Sequence, residues 1–231
     1  MSLKYHNLLD NEDTRMIGFL CRVVNFLEDV LEDAECREIY VEQHRLRGKT
    51  VEFKAVECKY DVTESARLFS EVHDLRVIEG EGNISLSQLY DYIVDYYSAT
   101  LHRDLKQYAF KTLESGIEYY LGVLFNGEGF LIEGEVGKVI VPNMPQCLSA
   151  HTHPSHHPTP SLRDIKTINQ LLVNRGIAHI VETVGRSLAI YRKGPIFLDD
   201  YEALLNLEKK SDVLKILHET NMIKILKLRY I

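Results

Sequence analysis

Long apolar runs, closely spaced cysteines and an excess of positive charge are all missing from this chain of 231 residues. No apolar run approaches the roughly 20 residues that a helix needs to cross a bilayer. The first residues, MSLKYHNLLDNEDT, also lack the charged and then apolar order of a secretory signal. We therefore expect a cytoplasmic protein that has no membrane segment.

The four cysteines, Cys21, Cys36, Cys58 and Cys147, are scattered along the chain and show no C-x-x-C spacing. This pattern excludes a zinc ribbon and a dense disulfide scaffold. A reducing compartment is its simplest interpretation, and Cys147 is predicted to be a packed strand residue.

The charge balance is acidic, because 27 Lys and Arg face 34 Asp and Glu and leave a formal net charge of -7. An acidic protein repels a phosphate backbone, so we expect no nucleic-acid partner. A hydrophobic content of 45% allows a sizeable core in one large domain or two small ones. The sequence leaves open whether the chain forms a homo-oligomer.

The first part of the chain predicts an N-terminal α+β region of unknown role, which we place at residues 1–98. Apolar residues recur at helical spacing from Arg15 to about Glu32 and predict an amphipathic helix. Alternation around a Gly-Lys turn between Arg37 and Tyr60 predicts a two-stranded hairpin. One long helix or two consecutive ones are predicted from Leu86 to about Glu114, with a domain boundary near residues 95–105.

The second part of the chain, from Gly116, alternates strands with a helix. The predicted strands are IEYYLGVLF, GFLIEGEVGKVIV, QCLSAH, IAHIVETV and SLAIYRK, and the predicted helix runs from Ile165 through Leu172 to a stop at Gly176. This alternation predicts an α/β (α+β) core at residues 99–195. The tail reads as two helices or as a helix and a strand, and we predict a C-terminal helical extension at residues 196–231.

The stretch HTHPSHHPTPSLRD at residues 151–164 crowds four histidines directly after a predicted strand. His151 and His153 are two apart on that strand and can present both imidazoles to one point. Asp164 follows at the start of a helix, whose first turn can aim its carboxylate back at the same point. Two imidazoles and one carboxylate are the usual ligands of a catalytic zinc ion, whose fourth position stays open.

Each of these residues also has an ordinary structural interpretation. Ser161 and Asp164 form the sequence pattern of a helix N-terminal capping box. His156 and His157 lie outside the ligand pattern and are predicted to be solvated loop residues. The pattern H-x-H-x7-S-x-x-D nevertheless fixes four positions together, and this conjunction favours a metal site.

At these residues the chain resembles the JAMM zinc metallopeptidases, also called MPN+ or Jab1/MPN. Their signature is an upstream glutamate followed by H-[ST]-H-x7-S-x-x-D, and the resemblance covers roughly residues 100–195. It implies a JAB/MPN-type mixed sheet flanked by helices and a Zn²⁺ ion bound by His151, His153 and Asp164. It also implies that Ser161 donates to the tetrahedral intermediate, while the glutamate accepts a proton from the attacking water.

Several residues before the histidines could be the upstream glutamate of the signature. They are Glu114, Glu118, Glu128, Glu133 and Glu135. A general base must lie on a rigid element within one water of the metal. Glu118 opens the apolar strand EYYLGVLF, as the family's glutamate opens a comparable strand, and we predict that it is catalytic. Glu133 and Glu135 lie in a Gly-flanked stretch that reads as a solvated hairpin edge.

The resemblance implies hydrolysis of a peptide or isopeptide bond, with ubiquitin-like protein conjugates or peptides as substrates, in the manner of a deubiquitinase. We expect the substrate tail to add as a strand to a sheet edge between Gly127 and Val141. Selectivity for small residues before the cut follows from a narrow cleft beside the Pro-stiffened loop at residues 154–160.

Two other functions stay open. The motif H-x-H-P-S-x-x-P-x-P-S also resembles the RadC branch of JAB-domain proteins, which is linked to DNA metabolism. The acidic charge balance of the chain disfavours DNA binding. A non-catalytic, metal-binding scaffold is the other alternative, although a scaffold has no need of a general base.

Overall fold

The computed structural model describes residues 4–8, 11–141, 144–210, 212, 215 and 223–231. The chain divides into two compact units, of which the larger comprises residues 1–18 and 94–231 and the smaller comprises residues 19–93. Among the described residues, none of the helices combines the length and the apolar character that a membrane span requires.

The described residues form the following elements. The strands are β1 (Lys4–Leu8), β2 (Glu38–Val41), β3 (Thr50–Val56), β4 (Arg76–Glu79), β5 (Ile84–Ser85), β6 (Ile117–Leu124), β7 (Gly129–Val136), β8 (Gln146–Thr152), β9 (Ala178–Glu182), β10 (Ser187–Arg192) and β11 (Leu226–Tyr230). The helices are α1 (Glu12–Asp33), α2 (Gln43–Leu46), α3 (Val62–Val72), α4 (Leu86–Ala99), α5 (Leu101–Ser115), α6 (Leu162–Val173) and α7 (Leu198–Glu208). The predicted first helix and the predicted pair of helices after Leu86 are therefore confirmed.

The smaller unit contains a four-stranded sheet in the order β4-β3-β2-β5. Strands β2 and β3 are antiparallel, as predicted, but the short helix α2 joins them in place of a tight Gly-Lys turn. Leu46 at the end of this short helix is fully buried. The rings of Phe26 and Phe53 pack edge to face in the core of this unit, with their centroids 5.7 Å apart.

Two of the scattered cysteines, Cys36 and Cys58, form a disulfide in the smaller unit. They lie close because β2 begins beside the end of β3, where Glu38 pairs with Val56. Disulfides persist mainly in oxidising compartments. This pair and the predicted cytoplasmic location therefore point in opposite directions. Cys147 is fully buried on β8, as predicted.

The larger unit is built on a seven-stranded mixed sheet in the order β1-β7-β6-β8-β9-β10-β11. Only the β8–β9 pair is parallel among these described strands, and helix α6 forms the crossover between them. Every residue of β8 is buried. The sheet and its flanking helices confirm the predicted α+β class, while the specific JAB/MPN arrangement stays a prediction.

Helices α6 and α7 share an apolar core with strands β10 and β11. The cluster comprises Ile165, Ile168, Leu172, Leu188, Ile190, Leu204, Leu207 and Leu226. This packing fixes α6 on the sheet and so determines where its first turn lies relative to the end of β8.

The borders of this sheet differ in part from the predictions. Of the two interpretations of the C-terminal tail, a helix and a strand fits the described residues, because β11 follows α7, pairs with β10 and buries Leu226 in the core, so the extension is not purely helical. Within the predicted edge from Gly127 to Val141, the part at residues 130–133 is not a free edge, because β1 pairs with it on the side away from β6. Residues 4–8 therefore belong to the sheet of the larger unit, whereas the sequence predicts that they lie in a separate N-terminal region that ends at residue 98.

Replacing Gly18 by Ala should destabilise the fold, because the new methyl group would lie 2.6 Å from the Gly127 Cα atom and 2.8 Å from the Leu124 carbonyl oxygen. Overpacking of this kind costs about 1–3 kcal/mol. The matched control is Gly194→Ala, whose methyl group would meet no described atom within 4 Å and should change stability by under about 0.5 kcal/mol. Chemical denaturation measures both, and equal free energies of unfolding would contradict this contact.

Candidate metal centre

The carboxyl end of β8 and the first turn of α6 bring three predicted ligands together. His151 lies on β8, and His153 follows the strand with its N–H donating to the Glu182 carbonyl at 2.8 Å. Asp164 lies in the first turn of α6. The carboxyl end of a parallel strand that feeds a crossover helix is a common place for a binding site.

The three side chains lie at distances that suit a metal ion. The Asp164 Oδ2 atom is 3.1 Å from His153 Nε2, and the Asp164 Oδ1 atom is 3.4 Å from His151 Nε2. The ligand atoms of all three lie within 4.8 Å of one another. Ligands at about 2.0–2.1 Å around a tetrahedral zinc ion are about 3.3 Å apart. The trio can therefore hold a metal ion.

His151 Nε2 supplies a second observation in favour of a metal. This atom is buried and makes no hydrogen bond to any described residue, although Asp164 Oδ1 is only 3.4 Å away. A buried polar atom without a hydrogen bond is rare in proteins and calls for an explanation. A metal ion between the two residues would satisfy the lone pair of this nitrogen.

The Asp164 carboxylate is charged in this setting. Burial alone raises the pKa of Asp164, but interactions with the two imidazoles and with the Ser161 amide outweigh burial and hold that pKa well below its usual range. An ionised carboxylate is the form that binds a metal.

The alternative interpretation of Ser161 and Asp164 is also correct, because they form a capping box. The Ser161 N–H donates to Asp164 Oδ2 at 2.5 Å, and the Asp164 N–H donates to Ser161 Oγ at 3.2 Å. The Ser161 hydroxyl group acts as the acceptor in this cap, so its own proton remains available for a second interaction.

Glu118 lies across the cleft from the ligand trio. It lies on β6, two residues before Tyr120, which pairs with His151, and it lines the same cleft as the three ligands. Burial raises the pKa of Glu118, while the charges of the two histidines oppose that rise. A carboxylate whose pKa is raised by burial accepts a proton more readily than a solvated one.

The other candidate glutamates lie elsewhere. Glu114 and Glu128 are exposed, and neither lines the cleft. Glu133 accepts a hydrogen bond from the Tyr119 hydroxyl at 3.4 Å, and Glu135 pairs with Lys138 at 2.8 Å.

The cleft at the trio has a volume of about 410 Å³. It is lined by Glu118, Tyr120, Gly137, Lys138, Val139, Val141, His151, His153, Ser161, Leu162, Arg163, Asp164, Thr167 and His179. A second cleft of about 510 Å³ shares Tyr120, Val139, Val141, Arg163 and Thr167 with it. The two clefts therefore form one groove that runs along α6 and ends at the trio.

His179 is a part of the site that the sequence does not predict. Its Nε2 atom lies 2.8 Å from His151 Nδ1, and its Nδ1 atom lies 2.7 Å from Ser149 Oγ. Burial, followed by the charge of His151, lowers the pKa of His179 well below its usual value, so the ring is neutral. A histidine inside the apolar strand AHIVE is the only signal in the sequence, and it does not reveal which strand lies beside it.

The predicted solvated-loop histidines are confirmed as exposed. His156 and His157 both lie in the loop after β8, and neither belongs to the trio. The loop is rich in histidine, but these two histidines are not among the residues that could bind the metal.

Comparison with known proteins gives no match to a protein-family model, to a curated protein or to a solved structure. The interpretation of the site therefore depends on its own residues and their geometry.

Replacing His151 or Asp164 by Ala should abolish metal binding, because each change removes one of three protein ligands. Elemental analysis of the purified protein should give about one zinc ion per chain before the change and almost none after it. The control is His157→Ala, an exposed loop histidine that should retain the metal. Full zinc content in the ligand variants would mean that the metal lies elsewhere.

Proposed function

We propose that this protein is a zinc-dependent metallopeptidase of the JAMM type, which hydrolyses peptide or isopeptide bonds in ubiquitin-like conjugates. The observation that carries the proposal is one cleft that contains His151, His153 and Asp164 together with the buried carboxylate of Glu118. A ligand trio alone suits a structural metal or a scaffold. A general base beside an open coordination position suits hydrolysis.

Zinc is the metal that these donors favour, since two imidazoles and one carboxylate form a common catalytic zinc set. When bound, zinc would supply a Lewis acid that polarises a carbonyl group and activates water. The remaining chemistry belongs to the side chains of the cleft.

Glu118 accepts a proton from the attacking water and later delivers it to the leaving amine. Its position on β6 makes it rigid, and its burial strengthens it as a base. Ser161 donates its hydroxyl proton to the oxygen that becomes negative during the attack. The N-terminus of α6, where Ser161 lies, also favours negative charge.

The groove suits an extended polypeptide. Val139 and Val141 of the segment 138–141 line both clefts, while Ile140 between them lines neither, as expected of alternating side chains in an extended chain. The described part of this segment belongs to no sheet strand, and its one recorded bridge joins Lys138 to Glu135. A substrate tail can pair with such a segment through main-chain hydrogen bonds. This segment takes the place of the sheet edge that the sequence predicts.

Changing Glu118 to Gln should retain the fold and the zinc ion but reduce kcat by about 100- to 10,000-fold, because an amide cannot accept the proton. Glu133→Gln is the matched control on the neighbouring strand and should keep full activity. Both variants are assayed on small-modifier conjugates with and without a chelator. Full activity of Glu118→Gln would assign the base to another glutamate. A chain that binds zinc but cleaves no conjugate would favour the scaffold.

Substrates that end in Gly-Gly before the cut should be cleaved best, because residues without Cβ let the scissile carbonyl approach the narrow end of the groove. Bulkier residues at these two positions should lower kcat/KM by at least about tenfold. Changes to the residue after the cut serve as the control and should have a smaller effect. Equal kcat/KM values for both tails would contradict this mode of recognition and leave the zinc chemistry intact.

A further inference from the structure

Behind the metal ligand His151, two consecutive hydrogen bonds run through the sheet. His151 Nδ1 lies 2.8 Å from His179 Nε2, and His179 Nδ1 lies 2.7 Å from Ser149 Oγ. All three residues are buried. Ser149 and His179 are direct partners across the parallel β8–β9 pair, and His151 lies two residues further along the same face of β8. The two central strands therefore build this chain of contacts.

The direction of these hydrogen bonds follows from counting protons. A neutral imidazole has one N–H that donates and one nitrogen that accepts. A metal bound at His151 Nε2 requires that this nitrogen carry no proton, so the proton lies on Nδ1 and is donated to His179 Nε2. His179 then carries its own proton on Nδ1 and donates it to Ser149 Oγ.

We infer that His179 is a positioning residue, which together with Ser149 holds His151 in its Nδ1-protonated form and directs the Nε2 lone pair at the metal. This inference rests on the proposed function only in taking His151 as a metal ligand. Hydrogen bonds to the second nitrogen of a ligating histidine commonly fix its ring and its tautomer.

The same two hydrogen bonds can also form in the protein without a metal, because the Ser149 hydroxyl group can either donate or accept. In that state Ser149 donates to His179 Nδ1, His179 donates through Nε2 to His151 Nδ1, and the His151 proton on Nε2 faces Asp164 Oδ1 at 3.4 Å. The three groups carry the same number of protons in both states. Metal binding would thus reverse the direction of both hydrogen bonds.

The zinc dissociation constant of the full chain, measured by competition with a chelator, tests this inference. His179→Leu keeps the side-chain bulk but removes the acceptor, and the constant should rise about 10- to 100-fold. His179→Gln places an amide oxygen near the position of Nε2 and should recover most of the affinity. Ser149→Ala should give an intermediate loss, because it removes the hydrogen-bond partner of His179 but leaves the contact between His179 and His151.

The matched control is Leu46→Ala, which opens a cavity in the core of the smaller unit and belongs neither to the sheet nor to the helix that carries the site. Its zinc affinity should equal that of the unaltered chain, which separates lost positioning from lost stability. Equal affinity in His179→Leu and in the unaltered chain would overturn the inference and leave the proposed function untouched. An unaltered chain that binds no zinc would overturn both.

The tautomers supply a readout that needs no substitution and no activity. Nitrogen chemical shifts of the zinc-loaded protein should show the proton of His179 on Nδ1 and that of His151 on Nδ1. A proton on His179 Nε2 in the loaded protein would overturn the inference. Loss of peptidase activity with both tautomers as expected would count against the proposed function alone.

Discussion

The pairing of β8 with β6 on one side and with β9 on the other fixes the distances at the metal centre. The antiparallel β6 partner brings Glu118 to the cleft that the trio lines, and the parallel β9 partner places His179 beside Ser149. Helix α6 then closes the site because it is the crossover between β8 and β9. A shift of one residue in either pairing would turn these side chains to the other face of the sheet. The chemistry therefore depends on strand register.

Burying so many polar groups on the face of one central strand opposes folding unless each group is partnered. His179 and Ser149 meet this demand through hydrogen bonds, and Asp164 meets it through the imidazoles and the helix cap. His151 Nε2 is the remaining exception on this face among the described residues. Buried titratable groups with displaced pKa values are typical of functional sites, and here the atom without a hydrogen bond belongs to the trio that could hold a metal ion.

The sequence predicts the ligand trio because all three residues lie within one short stretch, residues 151–164, where strand and helix geometry are local. Glu118 is predictable in part, since it begins an apolar strand, but its place across the cleft depends on pairing over a long separation. His179 escapes prediction for the same reason, as its role depends on which strand lies beside β9. The strand at residues 226–230 likewise forms because it pairs with β10, and the weak alternation of apolar and polar residues there does not reveal this pairing.

The helix cap and the candidate metal site share the Asp164 carboxylate, so the cap holds this side chain in place although it follows a proline-rich loop. Asp164 Oδ2 accepts the Ser161 N–H, while Oδ1 faces His151. The cap therefore fixes the Asp164 side chain before any metal binds, so that little conformational entropy is lost on binding. Because the same bond starts α6, any change that frays this helix would also misplace the ligand. Helix stability and metal affinity are coupled through this single side chain.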